Sequence, residues 1–236
     1  MVPGTYTVGY VSGNFTAEFV ASLLDLWERE LPSSREKLRP GVARRGVKGL
    51  YVPLNRNAVV EHFLKGDSEW LWFLDTDVSF APDLIDYLLA VADPEKRPIV
   101  AAIYFVQLPG APANTWWPAW HPAEDAPVPD RIDLGSLYEL GHVGMGCTLI
   151  HRTVLERMRE KYDADPWHWF SHDIAEGPDG LERAGEDVTF CRRARAAGFS
   201  VWGLALPVDH HKTVPITWDT YRASQAYMAA LQQQAT

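Results

Sequence analysis

Residues 70–77 read Trp-Leu-Trp-Phe-Leu-Asp-Thr-Asp, five large apolar side chains in a row closed by two carboxylates around a threonine. A short apolar run without polar alternation is a strand covered on both faces, of the kind found inside an α/β sheet. The two acids then emerge where that strand ends.

Neighbouring segments carry the same rhythm. Thr5 to Val11 alternates as a strand, Gly13-Asn14 breaks it, and Phe19, Val20, Leu23, Leu24 and Trp27 recur at helical spacing. Val47 to Val52 reads as a strand, Val59, Val60, Phe63 and Leu64 as one helix face, and Pro82 suits the first turn of a helix carrying Leu84, Ile85, Leu88 and Leu89. Pro98 to Tyr104 is a further buried strand. This alternation predicts a three-layer α/β fold, a Rossmann-like and mostly parallel central sheet with helices on both faces, whose ligands lie beyond the carboxyl ends of the strands.

The second half is less regular. Residues 107–135 hold six prolines with Trp116, Trp117 and Trp120, which marks a long loop rather than a linker. Gly146 to His151 reads as a strand, Thr153 with Glu156 as a capping box, and Trp167 to Gly185 as irregular chain. A helix from Glu186 to Gly198, a strand from Phe199 to Leu204 and a C-terminal helix from Tyr221 complete the pattern.

With 236 residues, 47 % of them apolar, the chain can bury the core of a single domain spanning 1–236. The longest apolar run, Ile99 to Val106, is too short to cross a bilayer, and no charged and apolar leader opens the chain. The expectation is a cytoplasmic protein with no membrane partner. Cys147 and Cys191 lack metal or redox spacing and read as reduced core thiols. The net charge of −9 argues against general affinity for nucleic acid, although Arg35 to Lys48 gathers six basic residues against the single acid Glu36.

Three constellations carry chemistry. Asp75 and Asp77 project the same way from extended backbone, so one can hold a divalent cation and the other a ribose or a metal-bound water. A second Asp-x-Asp, Asp163 to Asp165, lies in a polar loop and lacks that setting. Glu186 and Asp187 open a helix whose N-terminus favours ionised acids, and an ionised Asp is a competent base; simple helix capping is the alternative. In Asp209-His210-His211-Lys212, a neutral imidazole can complete a metal shell of oxygens, suiting Mn²⁺ somewhat better than Mg²⁺, and Lys212 offers a charge to a phosphate. Two surface histidines without metal are the plainer reading. Gly141 to Gly146 is glycine-rich but precedes a strand, so it is no dinucleotide fingerprint; close backbone approach to a sugar suits it better. Trp116, Trp117, Trp120, Trp167 and Trp169 offer aromatic faces to a ring or pack as an ordinary flap.

Taken in order, these segments resemble glycosyltransferases of the A-type fold, family 2 and its small, possibly phage-type, single-domain relatives. The residues carrying the resemblance are Asn55-Arg56-Asn57-Ala58, Trp72 to Asp77, Val143 to Ile150, and Gly185 to Gly198. It implies a nucleotide-sugar-binding half over 1–106, an acceptor-binding and catalytic half over 107–213, and a C-terminal helix over 214–236. It further implies a metal-dependent, inverting transfer from a nucleotide-diphosphate-sugar, a UDP-sugar foremost, with Mn²⁺ or Mg²⁺ as cofactor. Asp77 and His210, or His211 in its place, would hold the metal, and Asp187, paired with Glu186, would be catalytic. Tyr10, Val11, Ser12, Arg56, Asn57, Asp75, Thr76 and Lys212 would meet the donor. Trp116, Trp117, Gly144, Met145, Gly146 and Trp169 would meet an acceptor hydroxyl on a DNA base, a protein or a glycan. A sugar-binding module on the same fold and a nucleotidyltransferase are the competing readings; the second lacks a glycine-rich phosphate loop after the first strand.

Overall fold

The computed structural model describes residues 1–11, 15–30, 51–106, 117–122, 132–165, 167–177, 180–211, 215–216, 218, 221–222 and 225. In chain order the elements are β1 (Val2–Tyr10), α1 (Ala17–Glu30), α2 (Val52–Leu64), β2 (Ser68–Leu74), β3 (Val78–Ser79), α3 (Leu84–Val91), β4 (Ile99–Ile103), β5 (Phe105–Val106), β6 (Trp117–Pro118), β7 (Trp120–Pro122), β8 (Leu137–Val143), β9 (Cys147–His151), α4 (Arg152–Lys161), β10 (Asp173–Gly177), β11 (Gly180–Ala184), α5 (Glu186–Ala196), β12 (Val201–Pro207), β13 (Asp209–His211) and β14 (Pro215–Ile216).

The central sheet has the order β1-β2-β9-β4-β12-β8-β7. β1 and β2 are parallel, as are β4 and β12. Between them β9 runs antiparallel to both β2 and β4, and β8 runs antiparallel to β12 and β7. The sheet is thus mixed, with β1, β2, β4 and β12 sharing one direction. A buried strand is apolar whichever way it runs, so the reversal of β9 leaves no trace in its residues.

Pleating sends alternate residues to opposite faces, and both faces are covered. Leu71 and Phe73 of β2, with Ile99, Ala101 and Ile103 of β4, join α2, α4 and α5 in one apolar layer. Trp70, Trp72 and Leu74, with Val100 and Ala102, join α1 and α3 in the other. This is the expected α/β architecture of three layers. Cys147 and Cys191 are free, buried thiols.

Local details depart from expectation where tertiary contacts override short-range signals. Residues 47–50 lie outside the described residues, and Val52, expected to end a strand, begins α2, whose Pro53 fits the first turn because no donor is needed there. The cap of α4 is not Thr153 but His151, whose Nδ1 accepts from the Thr153 backbone N–H. Arg152 follows it inward and donates to the carbonyls of Phe63, Leu64 and Gly66, satisfying the C-terminal end of α2. The stretch expected to be irregular contains the hairpin β10–β11. Of the C-terminal helix expected over 214–236, Pro215–Ile216 is instead the short strand β14, and Trp218, Tyr221, Arg222 and Gln225 are the other residues described.

Candidate active site

Asp75 leaves the carboxyl end of β2 with its backbone N–H donated to the Gly146 carbonyl at 2.9 Å. Its Oδ1 accepts from Arg56 Nη2 at 3.0 Å, and the same nitrogen stands 3.9 Å from Glu186 Oε1. Arg56 therefore ties α2, the end of β2 and the start of α5 together. Its side chain is only 6 % exposed. Burial works against its charge, but Asp75 and Glu186 outweigh that and raise its pKa above the usual value. Nε and Nη1 of this guanidinium are buried with no hydrogen-bond partner.

The chain beyond Asp77 enters β3, and β13 pairs with β3 so that Asp209 faces Ser79 and His210 faces Val78. The His211 backbone N–H donates to the Asp77 carbonyl at 2.7 Å. This small sheet sets His210 beside Asp77, with Nε2 at 3.4 Å from Oδ2. His210 Nδ1 lies 2.9 Å from the Phe105 carbonyl, which only accepts, so Nδ1 carries a proton and Nε2 is the ring nitrogen turned to Asp77. His211 instead places Nε2 at 2.7 Å from Ser79 Oγ. Of the two histidines, His210 is the one facing the acid.

Tyr104, directly after β4, links this pair to the helix-borne acids. Its ring meets His210 edge-on at 5.3 Å, and its hydroxyl accepts from Gly146 N–H at 3.2 Å. Burial, then the nearby carboxylates of Asp75 and Asp187, push its pKa well above the ordinary tyrosine value, so the phenol keeps its proton. Gly144 and Gly146 make room for it: a Cβ at 144 would lie 2.0 Å from the Tyr104 oxygen, and one at 146 would lie 2.9 Å from its Cζ and 3.1 Å from Asp75 Oδ2. Asp187, in the first turn of α5, accepts from the Val188 N–H at 2.8 Å. Tyr104 and Asp187 both line a cavity of about 520 Å³ whose other walls include Pro118, Trp120, Ile132, Leu140 and His142.

The structure thus gathers Arg56, Asp75, Asp77, Glu186, Asp187 and His210 around Tyr104. Tyr10, at the end of β1, pairs in register with Leu74 and meets Phe15 edge-on at 5.8 Å, which puts an exposed aromatic ring at the same rim. Val11 follows it, half-buried, and Thr76 is buried, its carbonyl accepting from Thr16 N–H. Ser12, Trp116 and Lys212 lie outside the described residues, and of Trp117 only the backbone in β6 is described.

Three expectations need correction. Asn57 is no donor contact, because its amide is spent inside the fold: Nδ2 donates to Pro53 and Phe170 carbonyls and Oδ1 accepts from Phe170 N–H. Trp169 offers no face to an acceptor, being 2 % exposed with Nε1 donating to the Leu155 carbonyl. Met145 is likewise a core side chain. The glycines at 144 and 146 make room for Tyr104, and Gly144 also lines the cavity. Tyr104 and His142 went unnoticed in the sequence. The signal for Tyr104 was its place just past the carboxyl end of a buried strand, where ligands gather.

Among the described residues, no group of three His, Cys, Asp or Glu side chains is spaced to hold a metal ion unaided. The donor set nevertheless fits a cation shared with a substrate. Mg²⁺ and its like are held by one or two carboxylates plus substrate phosphates, and a histidine ligand ordinarily donates its second ring nitrogen to a carbonyl, as His210 does to Phe105. The second Asp-x-Asp serves structure: Asp165 takes Arg193 Nη2 at 2.8 Å and the Trp167 N–H at 2.8 Å.

No family model matches the chain, and no curated protein matches it. Among solved structures, A197 from STIV is similar to it with a TM-score of 0.53 at 17 % identity, over 90 % of this chain and 94 % of that one. A glycosyltransferase involved in glycosylation of the major capsid of PBCV-1 is a remoter likeness, with a TM-score of 0.35 and 15 % identity over 70 % of this chain and 71 % of that one. The first comparison shows a shared fold along nearly the whole of both chains. Among the described residues, no helix is long and apolar enough to cross a membrane.

Proposed function

We propose that the chain is a metal-dependent, inverting glycosyltransferase using a nucleotide-diphosphate-sugar, a UDP-sugar foremost, and an acceptor hydroxyl. The observation that carries this reading is the position of Tyr104, with the Asp77–His210 pair against its ring and Asp187 beside it on the cavity wall.

In this reading Asp75 accepts the ribose hydroxyls, held in place by Arg56, while Tyr10 and the exposed Phe15 ring flank the base. Asp77 and His210 would hold Mn²⁺ or Mg²⁺, which when bound neutralises charge growing on the departing diphosphate. The Arg56 guanidinium, set between Asp75 and Glu186, holds both carboxylates at this rim. Asp187 takes the proton of the acceptor hydroxyl as its oxygen forms a bond to the anomeric carbon. The bond from that carbon to the diphosphate breaks on the opposite face, and the nucleoside diphosphate leaves with the electron pair. Tyr104, protonated and buried, keeps a neutral donor between donor and acceptor sides.

The acceptor hydroxyl belongs to a DNA base, a protein or a glycan, and catalysis proceeds without a membrane. Incubation with a panel of nucleotide-sugars and Mn²⁺, followed by assay of released nucleoside diphosphate, tests the reading. Release should require the metal and fall by about 10²–10⁴-fold in Asp187→Asn. Release that is unchanged in that variant removes Asp187 as the base.

A further inference from the structure

The cavity beside Asp187 has a lining that says what enters it. At about 520 Å³ it is large enough for one or two rings, and its walls are mostly hydrocarbon: Pro118, Ala119, Trp120, Ile132, Leu140 and Val188. Its polar side chains are Asp187, Tyr104, Tyr221, Gln225 and the histidine pair His121 and His142, whose rings lie 4.3 Å apart. Trp120 is a fixed wall, since a Cβ at Gly203 would stand 2.5 Å from its Cε3 and its ring meets Tyr138 edge-on at 5.1 Å.

We infer that this cavity is the acceptor site and takes a neutral alcohol carried on a flat, apolar ring, with the reacting hydroxyl as its main polar group. The inference rests on the transferase reading above. A free sugar carries hydroxyls around its whole ring, and those facing Pro118, Trp120, Ile132, Leu140 and Val188 would be left unpaired, which a buried site discriminates against. An anionic acceptor would meet the Asp187 carboxylate with no lysine or arginine among the described lining residues to balance it. His142 supports the same conclusion: burial, then neighbouring His121, lower its pKa to about 4, so this imidazole stays uncharged near neutrality.

Naphthalen-2-ylmethanol and methyl β-glucopyranoside serve as probes, each titrated into the full chain by saturation-transfer NMR without nucleotide or metal, with UDP and Mn²⁺ binding measured on the same samples. The aryl alcohol should bind and the glycoside should not. Val188→Trp and Ala119→Leu, which fill the cavity from α5 and from the β6–β7 segment, should each weaken aryl alcohol binding by about tenfold or more while UDP binding persists. Two variants on separate elements keep the test open if one misfolds. Tighter binding of the glycoside, or aryl alcohol binding indifferent to both substitutions, overturns the assignment. Binding of UDP without the aryl alcohol overturns it too and leaves the transferase reading standing. The reverse pattern removes the transferase reading, and the acceptor role with it.

Discussion

His210 gives its Nδ1 proton to the Phe105 carbonyl at 2.9 Å and turns Nε2 toward Asp77 Oδ2 at 3.4 Å. The two residues are far apart in sequence, and pairing of β13 with β3 brings them together. The strand pairing therefore fixes the position of the imidazole, and the Phe105 carbonyl its orientation, before any ligand arrives.

His210→Gln should weaken Mn²⁺-dependent UDP binding by about 10–100-fold, and Asp77→Ala should do at least as much. Isothermal titration with and without Mn²⁺ separates this loss from metal-independent nucleotide affinity. Equal Mn²⁺ enhancement in all three proteins would contradict the paired-ligand assignment.

Arg56→Met should destabilise the fold by about 3 kcal/mol, because it strips the cation from between Asp75 and Glu186 and leaves two carboxylates facing each other. Arg56→Lys should fall between, since a single ammonium cannot reproduce the planar fork. Urea unfolding measures both, and a Met variant as stable as the parent would mean that the guanidinium contributes nothing net.

Gly144→Ala should disturb the site through Tyr104, whose oxygen would lie 2.0 Å from the new Cβ. Part of that damage should disappear in a Tyr104→Phe background, which removes the clashing oxygen but sacrifices the Gly146 N–H bond, worth about 1 kcal/mol. A double-mutant cycle on thermal stability reads the coupling, and additive effects would place the clash elsewhere.

His142 should remain neutral well below the usual histidine range. Burial is the main cause, with His121 adding to it; Arg192 and Arg195 act the same way and Asp187 opposes them. Because the folded pKa is lowered to about 4 from 6.5, the unfolded chain binds the proton first as pH falls. The associated stability is present above pH 6.5 and declines between 6.5 and about 4. Ring resonances followed by NMR across that window should shift only near its acidic end, and titration near the ordinary value would show a solvated imidazole.

Much of this architecture is legible in the residues. The apolar run of β2 ends in Asp75 and Asp77 because a strand buried on both faces has room for charge only past its end, and the acids that open α5 announce a helix N-terminus. The direction of β9 is hidden, since Cys147 to His151 is buried throughout and its burial reads the same whichever way the strand runs. Asn57 and Trp169 mislead for a related reason. Each bears a polar group that suits a ligand, and only the packed fold shows that backbone carbonyls have already taken it. Tyr104 escapes notice because its partners, Gly144, Gly146, His210 and Asp187, come from three separate later segments.

The most direct test concerns a single cation joining Asp77, His210 and a nucleoside diphosphate. Electron spin-echo modulation on the protein with Mn²⁺ and UDP should show a directly bound imidazole nitrogen that vanishes in His210→Gln. An oxygen-only Mn²⁺ shell in the unaltered protein, or a nitrogen signal that survives the substitution, would contradict the account.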